Sequence, residues 1–156
     1  MGGSLYVADA NANAVVKIDP VTGDTDGRVT VGTRPRGLAV DANATHLYVT
    51  NVEDQTVSVI DLSSLTVAAT ITVGVSPQEI AVNPKRPEAY VVNTLGDSLS
   101  IVDTSDHSVK ATVDAGNRPW DVKVSDDGLY IYVASSGSGV INIFTPEQLA
   151  AASPVG

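Results

Sequence analysis

The 156-residue chain contains no cysteine. This absence excludes disulfide bonds, thiol catalysis and thiolate metal sites together. Aromatic residues make up only 4% of the chain, so its core must rest mainly on Val, Ile, Leu and Ala. Branched aliphatic side chains fit the half-buried surface of a β-sheet, so this composition favours strands.

Long apolar runs are also missing, and basic residues are few. No stretch of about 18 apolar residues is present, so the sequence predicts no membrane insertion. Nine Lys and Arg residues stand against 18 Asp and Glu, which gives a net charge of −9. Because nucleic acids and anionic membranes attract basic patches, we expect neither as a partner.

A repeat runs through residues 5–144 without a gap. One triplet starts at positions 5, 47, 89 and 131, a constant step of 42 residues. Several other residue types recur at the same step, and a periodicity of this length indicates a repeat architecture. The triplets and the other recurring positions are Leu5-Tyr6-Val7, Leu47-Tyr48-Val49, Ala89-Tyr90-Val91 and Ile131-Tyr132-Val133; Gly32, Gly74 and Gly116; Pro35, Pro77 and Pro119; and Asp19, Asp61 and Asp103.

Each repeat contains four short apolar or alternating runs, which we name strands A to D. In the second repeat they cover residues 37–41, 46–51, 56–62 and 66–73. Alternation of period two marks a half-buried strand. Turn residues separate the runs, and the recurring Asp at the end of strand C is expected to cap such a turn. Four strands in a repeat of this length predict a β-propeller blade.

The second repeat also carries a recognisable motif. Tyr48-Val49-Thr50-Asn51, followed by Thr56-Val57-Ser58-Val59-Ile60-Asp61, resembles the YVTN-type β-propeller repeat, and the resemblance covers residues 5–144. It implies an all-β propeller of four-stranded antiparallel blades. The family includes surface-layer and secreted proteins, which suggests a secreted or cell-surface location. Its fold is similar to that of lactonase-type propellers, whose catalytic residues do not map onto this sequence.

Just under four blades are predicted for one chain. The first blade lacks strand A, and the last has a doubtful strand D, so residues 145–156 form a tail with either a last strand or a short helix begun near Thr145-Pro146-Glu147. Residues 1–4 are interpreted as a leader or tag remnant, without the features of a signal peptide. The chain is then either a natural short propeller or an engineered or truncated fragment.

Three arrangements would close such a set of blades. They are a four-bladed monomer, a homodimer that forms an eight-bladed ring, and a piece of a longer propeller. The slim inner strands Leu38-Ala39-Val40 and Ile80-Ala81-Val82 favour a larger blade number. Two-fold assemblies are the commonest oligomers, so we expect closure by homodimerisation.

The loops that join strand D to strand A are the predicted binding region. Gly and Pro recur there, while the flanking residues vary from repeat to repeat, as a binding ring would require. Arg side chains suit a carboxylate or phosphate, and the single Trp suits a sugar or a cation. Local pairing of the Arg residues and a covering role for the Trp form the structural alternative. The candidates are Arg34, Arg36, Gln78, Glu79, Arg118, Trp120 and Asp121.

Catalysis has little support in the sequence. His46 and His107 fall at different places in the repeat, so we expect them not to meet. No cofactor, metal site or nucleophile–base–acid set is predicted, although Glu79 and Asp121 offer a carboxylate pair. The sequence therefore predicts a non-catalytic scaffold or binding module that self-associates. A lactonase-like hydrolase and an adhesion module for saccharide or protein ligands are the alternatives.

Overall fold

The computed structural model describes residues 3–152. Its strands are antiparallel and form four sheets of three or four strands. The elements are β1 (Leu5–Asp9), β2 (Ala14–Ile18), β3 (Thr25–Thr30), β4 (Pro35–Val40), β5 (His46–Asn51), β6 (Thr56–Asp61), β7 (Thr66–Thr72), β8 (Pro77–Val82), β9 (Glu88–Asn93), a 3₁₀ turn (Thr94–Gly96), β10 (Ser98–Asp103), β11 (Ser108–Asp114), β12 (Pro119–Val124), β13 (Ile131–Ser135), β14 (Val140–Phe144) and α1 (Pro146–Ala151).

The sheets are the blades that the repeat predicts. In every sheet the strands lie side by side in chain order, β1 to β3, β4 to β7, β8 to β11 and β12 to β14. The first blade holds strands B, C and D, and the fourth holds A, B and C. Inner strands of successive blades pack on one another, β4 on β8 and β8 on β12. The prediction of an all-β propeller with just under four blades is confirmed.

The fourth blade is followed by a helix. Thr145 Oγ1 accepts a hydrogen bond from the Gln148 backbone N at 3.2 Å, and the Gln148 side chain accepts one from the Thr145 N at 2.8 Å. This reciprocal capping box, with Pro146 in the first turn, starts the helix. The helix, rather than a last strand, thus follows Thr145, and residues 153–156 of the predicted tail lie outside the described residues. Within residues 3–152 no helix is long and apolar enough to span a membrane.

Each blade has two apolar faces, because successive side chains of a strand point to opposite sides of the sheet. In strand B of the second blade, Leu47 and Val49 belong to the core shared with the first blade. Tyr48, between them, belongs to the core shared with the third blade. The same alternation recurs in the third blade, where Tyr90 packs towards the fourth.

Helix α1 completes the core between the third and fourth blades. Leu149 is buried in the cluster that contains Tyr90, Ile101 and Val113 of the third blade. A fourth strand of the last blade would occupy this part of the chain in a complete repeat. The helix therefore substitutes for strand D and covers the outer part of the preceding blade.

The recurring Gly and Asn residues depend on each other across blades. Asn51 lies fully buried, and its Nδ2 donates to Ser58 Oγ at 2.9 Å. A Cβ atom on Gly32, in the preceding blade-to-blade loop, would lie 2.6 Å from Asn51 Cγ. Gly74 and Asn93 show the same close approach, also 2.6 Å. Glycine recurs at this position because the carboxamide of the next blade takes the space of its side chain.

The recurring Asp at the end of strand C caps a turn, as predicted. Asp61 Oδ1 accepts hydrogen bonds from the Ser63 N at 2.8 Å and from the Ser64 N at 3.0 Å. The hydrogen bond from the Ser63 side chain, with those two backbone bonds, lowers the pKa of Asp61 to about 2. Asp103 makes the equivalent backbone bond to Ser105 at 2.9 Å.

Candidate functional site

The loops from D to A and from B to C lie at the same end of the blades, which we call the mouth. Strand A of the second, third and fourth blades starts there, at Pro35, Pro77 and Pro119. The residue before each Pro has a left-handed backbone, with φ of 54° at Arg34, 58° at Ser76 and 51° at Arg118. Because this conformation recurs in all three loops, whether the residue is Arg or Ser, it belongs to the blade architecture and not to a ligand site.

Three side chains at one repeat position meet at the mouth. Arg36 Nη1 donates to Gln78 Oε1 at 2.5 Å. The Arg36 Cζ also lies 4.3 Å from the centroid of the Trp120 ring, within the range of a cation–π contact. These residues come from strands A of the second, third and fourth blades. We call this group the mouth cluster.

The mouth cluster is firmly held from one side and open on the other. Gln78 is buried, and its Nε2 donates to Ser76 Oγ at 3.0 Å. Both polar ends of the carboxamide are thereby occupied, which fixes its orientation. Arg36 and Trp120 are exposed. A rigid base and an exposed guanidinium are what a preorganised binding site requires.

The other predicted site residues lie near the cluster but have different contacts. Arg34 pairs with Glu53 at 3.1 Å, both side chains being well exposed. Asp121 Oδ1 lies 3.0 Å from Lys123 Nζ. The two groups form an ion pair, but the angles at the two atoms do not meet those of a hydrogen bond. The Arg side chains therefore pair with Glu53 and Gln78, and not with Asp121.

Glu79 and Arg118 complete the set of candidates. Glu79 is half-buried, and its Oε1 accepts a long hydrogen bond of 3.4 Å from the Ile80 N. The Arg118 backbone N donates to Asp97 Oδ1 at 2.8 Å, while its side chain is exposed. No carboxylate in the described part of the chain forms an ion pair with the Arg36 or Arg118 guanidinium.

At the opposite end of the blades the two histidines lie in contact. The ring centroids of His46 and His107 are 5.3 Å apart, with the planes inclined by 70°. The expectation that they do not meet is wrong. His46 begins strand B of the second blade, and His107 lies in the turn between strands C and D of the third. Packing of neighbouring blades brings these two different places of the repeat together.

The repeat contains a feature from which this contact between His46 and His107 could have been predicted. His107 occupies the position of Leu65 one repeat earlier, and Leu65 packs against the core between the first and second blades. The side chain at this turn thus reaches back to the preceding blade in both the second and the third blade. In the third blade it reaches Tyr48, whose Oη lies 3.3 Å from His107 Nδ1.

A carboxylate and a hydroxyl surround the histidine pair. His46 Nδ1 lies 3.2 Å from Asp41 Oδ2, and Thr45 Oγ1 donates to the same carboxylate oxygen at 2.6 Å. Burial raises the pKa of Asp41, but the hydrogen bonds from Thr45 and His46 outweigh burial and hold the pKa below its usual value. Burial, with the neighbouring His46, lowers the pKa of His107.

This group borders a cleft of about 400 Å³ between the second and third blades. The cleft is lined by Asp41, Thr45, His46, Lys85, Arg86 and Thr104, among others. Within residues 3–152, no three His, Asp or Glu side chains are arranged to hold a metal ion. The Thr45 hydroxyl, which donates its hydrogen bond to Asp41, also lies 3.0 Å from His46 Nδ1.

Repeated antiparallel blades of three or four strands, with their connecting loops gathered at one end, define a β-propeller module. The chain belongs to the YNCE-like β-propeller family, whose model matches residues 30–149. This agrees with the resemblance predicted from the YVTN motif. A search among curated proteins finds no match.

The fold is also similar to that of a solved structure. The hydrazine synthase of Kuenenia stuttgartiensis superposes with a TM-score of 0.85 at 25% sequence identity. The match covers 91% of this chain and 42% of that chain. The present chain therefore spans less than half the length of that relative, and the likeness concerns the propeller.

Proposed function

We propose that this chain is a non-catalytic binding module that receives a carboxylate or phosphate group of its ligand on Arg36, at the mouth of the propeller. One observation carries the proposal. The Arg36 guanidinium is held by two neutral partners, Gln78 at 2.5 Å and the Trp120 ring at 4.3 Å. Its positive charge is thus positioned but not neutralised.

The geometry leaves donors free for a ligand. A guanidinium carries five N–H groups in a planar fork that matches a carboxylate or a phosphate. Gln78 accepts one of them. Stacking on Trp120 restricts the side chain before binding, which reduces the conformational entropy that a ligand must otherwise overcome.

The surrounding charges support an anionic ligand. Most basic side chains of the chain lie within 4.0 Å of a carboxylate; these are Lys17, Arg28, Arg34, Arg86, Lys110 and Lys123. In a chain with a net charge of −9, Arg36 stands apart from this pattern. Arg118, two residues before Trp120, supplies a second exposed cation at the mouth.

The same contacts weigh against the two rival functions. A saccharide would stack on the Trp120 ring, but Arg36 already lies over that ring. A lactonase-like hydrolase would use Glu79 and Asp121 as a carboxylate pair, but Asp121 is engaged by Lys123 at 3.0 Å. An anion on Arg36 requires neither contact to be broken.

The binding test uses the fluorescence of Trp120, which is the only Trp of the chain. Inorganic phosphate and acetate are titrated separately, and the sodium chloride concentration is lowered in step so that the ionic strength stays constant. We expect a saturable change in emission, because a bound anion alters the charge of the guanidinium stacked on the indole. In Arg36→Gln the saturable change should disappear.

The matched control is Arg28→Gln, which removes an Arg from the first blade, where it pairs with Asp9 at 3.4 Å. This variant should titrate as the unmodified chain does. A response that does not saturate, or that persists in Arg36→Gln, overturns the proposal. Hydrolysis of a lactone above the buffer rate that is lost in Asp121→Asn would instead establish the hydrolytic alternative.

A further inference from the structure

The loop between the second and third blades pairs its backbone N–H groups differently from the loop before it. Between the first and second blades, the Thr33 N donates to Asp54 Oδ2 at 2.7 Å. The next residue, Arg34, donates its backbone N–H to Asn13 Oδ1 at 3.0 Å. Side-chain oxygens from the B-to-C loops of two blades thus receive the two N–H groups that precede strand A.

One repeat later, the corresponding N–H groups belong to Val75 and Ser76. Neither has a hydrogen-bond acceptor among residues 3–152. Two differences between the repeats explain this. Gly96 stands at the position of Asp54, so the carboxylate is missing, and Gln55 stands where the preceding blade has its Asn. Successive backbone N–H groups in a turn form anion-binding concavities.

The space that the carboxylate would fill is open. A Cβ atom added to Gly96 would lie 3.3 Å from the Val75 N and 3.2 Å from Ser98 Oγ. A side chain at this position would therefore point at both groups, as that of Asp54 points at the Thr33 N. A cavity of about 330 Å³ lies here, with Val75, Gly96 and Ser98 in its wall; we call it the loop cavity.

The donors of the loop cavity are held in place before a ligand arrives. Ser98 is 3% exposed, and its Oγ accepts a hydrogen bond from Asn93 Nδ2 at 3.1 Å. Because a hydroxyl both accepts and donates, its hydrogen is left for a ligand. The backbone N–H groups lie in a short loop that is fixed at both ends by strands β7 and β8. Donors fixed in this way reduce the entropy that binding costs.

The remaining wall of the loop cavity is polar and uncharged. It includes the side chains of Gln55, Thr72 and Thr112, and no ionisable side chain of the described residues lines it. A second negative charge on a ligand would therefore face no cation, in a chain whose net charge is −9. Hydroxyl and carboxamide groups hydrogen-bond to hydroxyl groups, so the wall favours a monocarboxylate that carries them.

We propose that the loop cavity binds a small hydroxy acid, with the carboxylate of the ligand in the place that the Asp54 side chain takes one repeat earlier. The carboxylate accepts hydrogen bonds from the Val75 N and from Ser98 Oγ, and the hydroxyl groups of the ligand face the polar wall. The inference goes beyond the anion site on Arg36, because no mouth-cluster residue lines the loop cavity.

The primary experiment records the backbone amide signals by nitrogen-15 NMR while acetate replaces chloride ion for ion at neutral pH. We expect saturable shifts of the Val75 and Ser76 amides, because these N–H groups gain an acceptor. The Thr33 amide is the control within the same spectrum, since Asp54 already holds it at 2.7 Å. It should not shift.

Two variants exchange the properties of the two loops. Gly96→Asp places the carboxylate on the chain itself and should abolish the acetate response of Val75. Ser138→Asp adds the same charge at the same position of the next repeat and should leave that response unchanged. Asp54→Gly opens the equivalent space between the first and second blades, so the Thr33 amide should acquire a saturable shift in this variant.

The ligand class is tested with propanoate and glycerate, which share three carbon atoms and differ by two hydroxyl groups. We expect glycerate to bind about 3- to 10-fold more tightly, the gain that one further hydrogen bond gives. Arg36→Gln should leave both titrations at Val75 unchanged. A lost response of the mouth cluster with a retained response at Val75 would therefore disprove the function proposed above and not this site.

The proposal is overturned by acetate shifts at Val75 that do not saturate, or by shifts that persist in Gly96→Asp. Equal affinities for propanoate and glycerate would remove the hydroxy acid as the ligand class. If Gly96→Asp does not fold, Asp54→Gly decides the question independently. A Thr33 amide that stays insensitive to acetate in this second variant would show that a missing carboxylate does not create a binding site.

Discussion

The interior blades and the end blades use the same residues in opposite surroundings. Tyr48 and Tyr90 are fully buried between blades, whereas Tyr132, at the same repeat position, is exposed. Leu47 is buried and Leu5 is exposed in the same way. The comparison shows that a repeat encodes two faces for each blade, while burial of these faces depends on the neighbours that are present. The predictions below test that difference, from the largest expected effect to the smallest.

Substitution of Leu47 and of Leu5 tests the difference between interior and end blades most directly. Leu47→Ala removes a side chain from the core that contains Val15, Val49 and Ile60, so we expect a loss of about 2–5 kcal/mol in the free energy of unfolding. Leu5→Ala makes the identical change on the exposed side of the first blade and should alter the free energy of unfolding by about 0.5 kcal/mol or less. Both values come from denaturant titration at low protein concentration.

The two variants make the same change at the same repeat position, at a side chain that is 1% exposed in Leu47 and 51% exposed in Leu5. Their difference therefore measures what burial between two blades contributes. Equal losses for both variants would show that the Leu5 side chain is already covered within one chain. The difference between interior and end blades would then not exist.

A buried hydroxyl provides the second test. Thr50 is fully buried, and its Oγ1 donates to the Gln78 carbonyl at 2.9 Å and accepts from the Gly37 N at 2.8 Å. It thereby ties strand B of the second blade to strand A of the third. Thr50→Val keeps the shape but leaves both backbone groups unpaired, so we expect a loss of about 1–3 kcal/mol in the free energy of unfolding.

The control for this hydroxyl lies on the outer strand of the same blade. Thr72 in β7 is exposed, and Thr72→Val should change the free energy of unfolding by about 0.5 kcal/mol or less. The two variants differ in whether the hydroxyl is buried and joins two blades. If thermal or denaturant unfolding gives equal losses, the inter-blade bond contributes nothing beyond the local strand.

These contacts also show which parts of the molecule the sequence predicts. The step of 42 residues predicts the blades, the lack of strand A in the first blade and the turn that Asp61 caps. Each of these features depends on neighbours within one repeat. The contact of His46 with His107 depends on how one blade packs on the next, which a single repeat does not describe. Arg36 reaches Trp120 from two blades away, and its position along the chain alone does not indicate that partner.

The histidine contact gives a prediction that depends on pH. The pKa of His107 lies below the ordinary value of 6.5, through burial and then the neighbouring His46, while Asp41, Asp103 and Asp106 act in the opposite direction. The unfolded chain therefore binds the proton first, and stability is lost as the pH falls below about 6.5. His107→Leu places at this turn the residue that Leu65 supplies one repeat earlier, and it removes that proton.

We expect the free energy of unfolding of His107→Leu to fall less than that of the unmodified chain between about pH 7.5 and about pH 5.5. This interval lies above the range in which carboxylates such as Asp41 titrate, so the two chains differ mainly in the histidine. Denaturant titrations at several pH values measure the difference. Parallel pH profiles would mean that His107 has the same pKa in the folded and unfolded chains.

The smallest effect is expected at the mouth, where Trp120 is half-exposed and contacts Arg36 instead of a core. Trp120→Ala should lower the free energy of unfolding by about 1 kcal/mol or less, which is the size of an exposed cation–π contact. A buried Trp would cost about 3–5 kcal/mol, so a loss of that size would place Trp120 in the core and remove the basis of the anion site. A small loss combined with weaker phosphate binding, followed by calorimetry because the fluorescent reporter is gone, is the result expected of a side chain that orients Arg36. The mouth would then differ from the blade interfaces, since its aromatic surface remains available for binding.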